Sequence, residues 1–251
     1  MLVRLVRNAT LLVEFGGLTL LVDPMLADPH TLPPVENTAP PIRNPLVGLP
    51  EPAAEVSSAA GVLLVTHLHR DHFDRAAQSL VDPATPIICQ PADHATLAGY
   101  GFTEVRAVEA ATVIDDVTVT RVTARHTMGD GELTLGPCSG FVLTAPGEPT
   151  LHVAGDCVWC TELAAVIEEH RPAVIVLNAG AARFLDGPPI SMTADDVIAA
   201  ARSAPYATLV AVHLEALNHC PMSRDELRRH LVAAGLDERV RIPGDGEALS
   251  W

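Results

Sequence analysis

The sequence predicts a protein of mixed α and β structure built on two β-sheets. Three observations carry that expectation: a β-rich opening over residues 2–23, alternation of strand-like and helix-like runs from residue 61 onward, and no composition break that would mark a domain boundary. At 251 residues the chain fits one large domain spanning 1–251 with an ample core.

The opening contains three short β-prone runs, Leu2–Arg7, Thr10–Phe15 and Leu18–Val22. Gly16-Gly17 between the last two signals a hairpin, because glycine tolerates the positive φ of a tight turn. Residues 24–58 then change character. Nine of the 21 prolines fall between Pro24 and Pro52, with little apolar periodicity, which predicts a long loop near a functional cleft. Gly61–Val65 is a continuous apolar run bounded by polar residues and reads as a buried strand.

A helix is predicted over Phe73–Val81, a strand near Ile87 and a helix around Asp93–Ala98. Alternation in Val117–Val122 marks a half-exposed strand, and further strands are expected at Gly140–Thr144, Thr150–Val153, Ala173–Leu177 and Thr208–Val212. Helices are expected at Glu162–His170, Ala194–Ala201 and Arg224–Ala234, the last preceded by a capping-box pattern from Ser223 to Glu226.

Charge narrows the partners. Sixteen basic against 31 acidic side chains give −15, and every basic residue is Arg. Without lysine there is no Schiff-base lysine, P-loop lysine or lysine general base. So acidic a chain repels nucleic-acid phosphates and anionic membrane surfaces, so a small-molecule partner is expected, with neither nucleic acid nor membrane. No run reaches the ~18–20 apolar residues of a membrane span, and the charged N-terminus lacks a signal-peptide pattern. Five cysteines do not form an even disulfide framework, which fits a reducing, cytoplasmic location.

The chemical signal is Thr66-His67-Leu68-His69-Arg70-Asp71-His72, directly after the strand Gly61–Val65. Extended backbone puts His67 and His69 on one side, and Asp71 and His72 follow as the chain bends toward a second ion. Imidazole and carboxylate suit divalent zinc, manganese or iron. Two ions need further ligands, and each candidate lies just beyond an apolar strand: His126, Asp156 and His213. That repetition would deliver ligands to one edge of the sheets.

With these residues in place the sequence resembles the metallo-β-lactamase-fold hydrolases over nearly its whole length. His67, His69, Asp71 and His72 meet the family pattern His-x-His-x-Asp-His, and His126, Asp156 and His213 match its later ligands. The resemblance also places Asp23 as a supporting carboxylate behind the ligand loop. It is closest to the ascorbate-6-phosphate lactonase-like branch, through Asn8–Gly17, Gly136–Leu143 and Val212–Cys220.

The fold this implies is α+β, a four-layer αβ/βα sandwich of two mixed sheets flanked by helices, with a metal site at one edge. It also implies one ion on His67, His69 and His126, another on Asp71, His72 and His213, and Asp156 bridging both. Zinc is the default metal and manganese the alternative. The presence of Asp156 argues against β-lactam hydrolysis, His69 against the iron-binding redox branch, and the missing insert against the nuclease branches.

The implied reaction is attack of a metal-bridging hydroxide on a small lactone or ester, with anionic substrates among the candidates. Asp71 would orient the nucleophile, and His219 would serve as general acid. Phosphodiester hydrolysis and a non-catalytic metal-binding or sensor role are the rival readings. Arg43, Arg125 and Arg183 are candidate anchors for a substrate anion, since guanidinium binds such groups bidentately. Cys157-Val-Trp-Cys160 has redox-motif spacing but no second ligand pair for a structural zinc, so its thiols are read as buried or adjacent to the site. His152 is read as packed beneath the site, and His30, His94, His170 and His230 as surface or helix-end residues.

Overall fold

In a computed structural model, which describes residues 1–128 and 135–251, the strands form two seven-stranded sheets. The first contains β1 (Leu2–Arg7), β2 (Thr10–Phe15), β3 (Leu18–Val22), β4 (Val62–Val65), β5 (Ile87–Cys89), β6 (Val105–Ala107) and β14 (Ala248–Ser250), in the order β14-β1-β2-β3-β4-β5-β6. The second contains β7 (Ala111–Ile114), β8 (Val117–Ala124), β9 (Cys138–Thr144), β10 (Leu151–Val153), β11 (Val174–Asn178), β12 (Thr208–Val212) and β13 (Val240–Arg241), in the order β13-β12-β11-β10-β9-β8-β7. Each sheet is antiparallel on one side and parallel on the other, the parallel part running β3-β4-β5-β6 in the first and β10-β11-β12-β13 in the second.

Side-chain alternation explains the layering. Val62 and Leu64 of β4 join Val174 and Val176 of β11 and Val210 and Val212 of β12 in the core between the sheets. Their neighbours face outward: Leu63 and Val65 pack beneath α1 (Ala53–Ser58), α2 (Arg75–Leu80) and α3 (His94–Gly99). Ile175, Leu177, Leu209 and Ala211 pack beneath α4 (Thr161–His170), α5 (Ala194–Ser203) and α6 (Arg224–Ala234). Strands apolar on both faces must be covered on both, so the sandwich has four layers. This is the four-layer αβ/βα sandwich that the resemblance implies.

Local chemistry sets the boundaries. Gly16 and Gly17 turn the β2–β3 hairpin at φ 55° and 82°. α2 starts later than its apolar pattern suggests, because Asp74 caps it by accepting from the Ala77 N–H at 2.8 Å. Ser223 caps α6 by accepting from the Glu226 N–H at 3.1 Å, while a reciprocal capping box is complete at Thr193 and Asp196 on α5.

The Pro-rich segment is not all loop: Ala53–Ser58 forms α1, whose Val56 inserts into the outer core. Its proline-free sequence allows a helix once prolines cease at Pro52. Upstream, fully buried Arg7 donates to the carbonyls of Met25, Ala27 and Val47 at 2.7, 3.0 and 3.0 Å, joining the two ends of the loop. Burial pushes its pKa down to about 10, against the pull of Asp74. Edge strands β6, β7, β13 and β14 have two to four residues each, too short for a periodic signal. Among the described residues, no helix is long and apolar enough to cross a membrane.

Candidate metal centre

The parallel strands bring their C-terminal ends to one edge, the position where ligands of α/β sheets gather. Asp23 follows β3, the His67–His72 segment follows β4, His126 follows β8, Asp156 follows β10 and His213 follows β12. The tight approach of Asp156 depends on Gly155 at φ 66°: a Cβ there would lie 2.8 Å from the Ser139 carbonyl. Seven side chains thereby gather into two overlapping groups. His67, His69, His126 and Asp156 form one, and Asp71, His72, His213 and Asp156 the other, with the ligand atoms of each group within 4.8 Å of one another. Asp156 belongs to both.

Outward contacts orient the rings. Asp23 accepts from the Thr66 N–H at 2.8 Å and the Thr66 hydroxyl at 2.7 Å, and its Oδ2 lies 2.8 Å from His72 Nδ1. His126 Nδ1 faces the Ile190 carbonyl at 3.0 Å, and His69 Nε2 faces the Leu135 carbonyl at 2.9 Å. His67 Nδ1 faces the Thr66 hydroxyl at 3.0 Å and Cys138 Sγ at 3.5 Å, and His213 Nδ1 faces Cys220 Sγ at 3.5 Å. An outer nitrogen engaged in this way leaves the inner lone pair for a metal.

His213 Nε2 lies 3.2 Å from Asp71 Oδ2, whereas the inner nitrogens of His67 and His72 lack ordinary partners. His67 Nε2 lies 2.9 Å from His69 Nδ1 and 3.3 Å from His126 Nε2, a convergence of lone pairs that a cation satisfies. His72 Nε2 is buried without a hydrogen bond, 3.4 Å from Asp156 Oδ1 and 3.8 Å from Asp71 Oδ2. The donor set therefore fits divalent metal. Burial, reinforced by neighbouring imidazoles, pushes His67 well below its usual pKa, and burial also lowers His126. Burial opposes ionisation of Asp71 and Asp156, yet His72 beside them and His213 hold both well below the carboxylate range.

A cavity of about 710 Å³ opens over the centre. His69, Asp71, His126, Asp156 and His219 form its floor, and Leu32, Pro34, Val35, Phe184, Ile190 and Leu217 its apolar walls. His219 is 6% exposed, its Nδ1 has no hydrogen-bond partner, and burial lowers its pKa. The three arginines lie elsewhere. Arg43 donates to the carbonyls of His30 and Thr31, Arg125 pairs with Glu162 at 2.7 Å, and Arg183 donates to the Ala181 carbonyl. Arg70, exposed, is the cationic side chain on the cleft wall among the described residues.

Several supporting residues escaped the sequence reading. Asn8 joins the ligand loops: its Nδ2 donates to the Asp71 carbonyl at 2.9 Å and its carbonyl accepts from the His213 N–H at 2.8 Å. Asn178, ending β11, donates to Asp156 Oδ1 at 2.7 Å. Its place at a strand end beside the ligands was a usable signal; the contacts of Cys138 and Cys220 left none. All five cysteines are free and buried. Cys157 Sγ accepts from the Arg125 N–H at 3.3 Å, and His152 is packed within the second sheet.

A family profile for a beta-lactamase superfamily domain matches residues 19–214. The UPF0173 protein YddR of Bacillus subtilis is 33% identical over 252 residues, covering 98% of each chain. Among solved structures, an isothiocyanate hydrolase from Delia radicum gut bacteria matches with TM-score 0.95 and 33% identity, covering 100% of this chain and 99% of that one. A possible metal-dependent hydrolase from Veillonella parvula matches with TM-score 0.97 and 28% identity over the same shares.

Proposed function

The chain belongs to the beta-lactamase superfamily, as a metal-dependent hydrolase of the metallo-β-lactamase fold, and from that premise we propose that it hydrolyses small, uncharged esters or lactones at a dinuclear centre. The observation that carries this reading is the sharing of Asp156 between two ligand groups on the floor of an apolar cleft. His67, His69 and His126 would hold one divalent cation and Asp71, His72 and His213 the other, with Asp156 between them. Zinc is the first choice and manganese the second, since imidazole and carboxylate serve both. Bound there, the cations supply Lewis acidity and lower the pKa of water from about 15.7 toward about 7.

The chain's own residues do the rest. Asp71, ionised beside His72 and His213, orients the attacking water and accepts its proton. His219, kept neutral at rest by burial, would take up the proton that Asp71 removes from water and pass it to the leaving atom, ending the step neutral again. The apolar walls exclude bulk water and favour an uncharged substrate with a hydrocarbon tail.

A second reading is favoured by the 33% identical isothiocyanate hydrolase that matches the whole chain. Water adds to the central carbon of R–N=C=S, the bond from that carbon to nitrogen breaks, and the amine R–NH2 and carbonyl sulfide leave. His219 would then deliver a proton to the nitrogen.

The test is turnover of p-nitrophenyl esters, lactones, aryl isothiocyanates and bis-p-nitrophenyl phosphate by metal-loaded protein, with and without chelator. Chelator-sensitive turnover of esters or lactones supports the first reading, and turnover of isothiocyanates alone supports the second. Turnover of the phosphodiester alone, or none that needs metal, overturns both. Elemental analysis of Asp156→Ala should show loss of one or both metals; unchanged content would sink the bridging role.

A further inference from the structure

Residues 32–44 form one wall of the cleft, yet no apolar side chain in this stretch is buried. Its ends are pinched together, Leu32 and Asn44 exchanging backbone hydrogen bonds of 2.8 and 2.9 Å. The two buried residues within it are Thr38 and Asn44, and both bond to Asn218. Asn218 Oδ1 accepts from the Val35 N–H at 3.1 Å and from Asn44 Nδ2 at 2.8 Å. Its Nδ2 donates to the Thr38 hydroxyl at 2.7 Å and the Pro40 carbonyl at 2.8 Å, and its backbone N–H donates to Asn44 Oδ1 at 2.9 Å. The amide is thus saturated by the loop, with no donor or acceptor left for a substrate.

The same short segment carries His213, a metal-group residue, and His219 on the cleft floor. Asn218 is 3% exposed and stands immediately before His219. With the Asn37 carbonyl, which accepts from the Leu185 N–H at 2.8 Å, it ties the apolar wall of Leu32, Pro34 and Val35 to the rest of the fold, and of these two ties it is the one beside the metal centre. Arg7 holds the outer ends of the segment, through the carbonyls of Met25, Ala27 and Val47.

We propose that Asn218 is a positioning residue for substrate selection: by clamping the 32–44 loop it sets the space beside the metal centre and so the preference for substrates with an extended apolar tail. This rests on the hydrolase reading above. Loss of the clamp lets the wall shift, which weakens the hold on a long tail more than on a short one.

The experiment compares wild type, Asn218→Ala and Asn218→Asp, each metal-loaded, on p-nitrophenyl acetate and hexanoate and on methyl and 2-phenylethyl isothiocyanate. For Asn218→Ala, KM on the long-tailed member of the active pair should rise about tenfold, with kcat falling less and the long-to-short ratio of kcat/KM collapsing. Asn218→Asp keeps the acceptor for Val35 and Asn44 and should recover part of the ratio. Metal content by elemental analysis should match wild type, and hydrogen exchange at the Leu32, Val35 and Asn44 amides should quicken about tenfold in the alanine variant.

An equal loss on both tails, a loss of metal, or unchanged exchange over 32–44 would overturn the proposal. If wild type turns over neither pair, the hydrolase reading fails on its own. Exchange, together with the affinity of the cleft for the neutral dye N-phenyl-1-naphthylamine, then decides the clamp: weaker dye binding in Asn218→Ala supports it and equal binding overturns it.

Discussion

Nδ1 of His72 lies 2.8 Å from Oδ2 of Asp23, so a carboxylate at the end of β3 orients the ring whose other nitrogen faces Asp71 and Asp156. The same carboxylate accepts from Thr66 at the start of the ligand loop. Asp23→Asn keeps the shape but sets an amide against one of these donors. Metal affinity, measured by competition with a chromogenic chelator, should fall about 10–100-fold. Affinity equal to wild type would remove Asp23 from the metal-supporting set.

Cys220 supports His213 in a weaker way, with Sγ 3.5 Å from Nδ1. Burial raises the thiol's pKa, so it stays protonated and can serve as acceptor or donor as the tautomer requires. Cys220→Ala leaves a buried ring nitrogen without a partner, and metal affinity should drop about tenfold or more. Cys220→Ser keeps a polar partner and should retain most of the affinity. The same chelator competition distinguishes the two variants.

His152 gives a pH signature away from the centre. It is 1% exposed, Nδ1 has no partner, and burial with nearby His170 pushes its pKa from 6.5 down to about 3. The unfolded chain therefore takes up a proton below pH 6.5 that the folded protein refuses until pH nears 3. Stability present above this window is lost as pH falls through it, by up to about 1.4 kcal/mol per pH unit for one proton. Urea unfolding at several pH values inside the window should show a shallower slope for His152→Leu than for wild type; parallel slopes would count against this assignment.

Asp74 joins a helix to the Pro-rich segment. Oδ1 caps α2 at Ala77, while Oδ2 accepts from the Ala27 N–H at 2.7 Å, and the side chain is buried. Asp74→Ala loses the cap and strands a buried N–H, so denaturant unfolding should show a loss of about 2–4 kcal/mol. A change below about 0.5 kcal/mol would place it with ordinary surface substitutions.

The sequence by itself determined the strands apolar on both faces, the hairpin at Gly16-Gly17 and the helices with strong caps, because these depend on local periodicity and on residues close in the chain. It also marked His67, His69, Asp71 and His72, four potential ligands crowded behind one buried strand. His126, Asp156 and His213 were legible only as a repeated pattern of residues after strands.

Tertiary structure decided the rest, since contacts distant in sequence depend on how two sheets stack. The stacking brings Asp156 between the two ligand groups, turns Cys220 toward His213 and sets Asn8 between Asp71 and His213. It directs Arg43, Arg125 and Arg183 to other partners, because a long side chain goes to whichever acceptor the fold places within reach. It also sets the Pro-rich segment as a cleft wall: that segment buries no apolar side chain between residues 32 and 44, and it is tied by hydrogen bonds to Asn218 and Leu185, both more than 140 residues away in the chain.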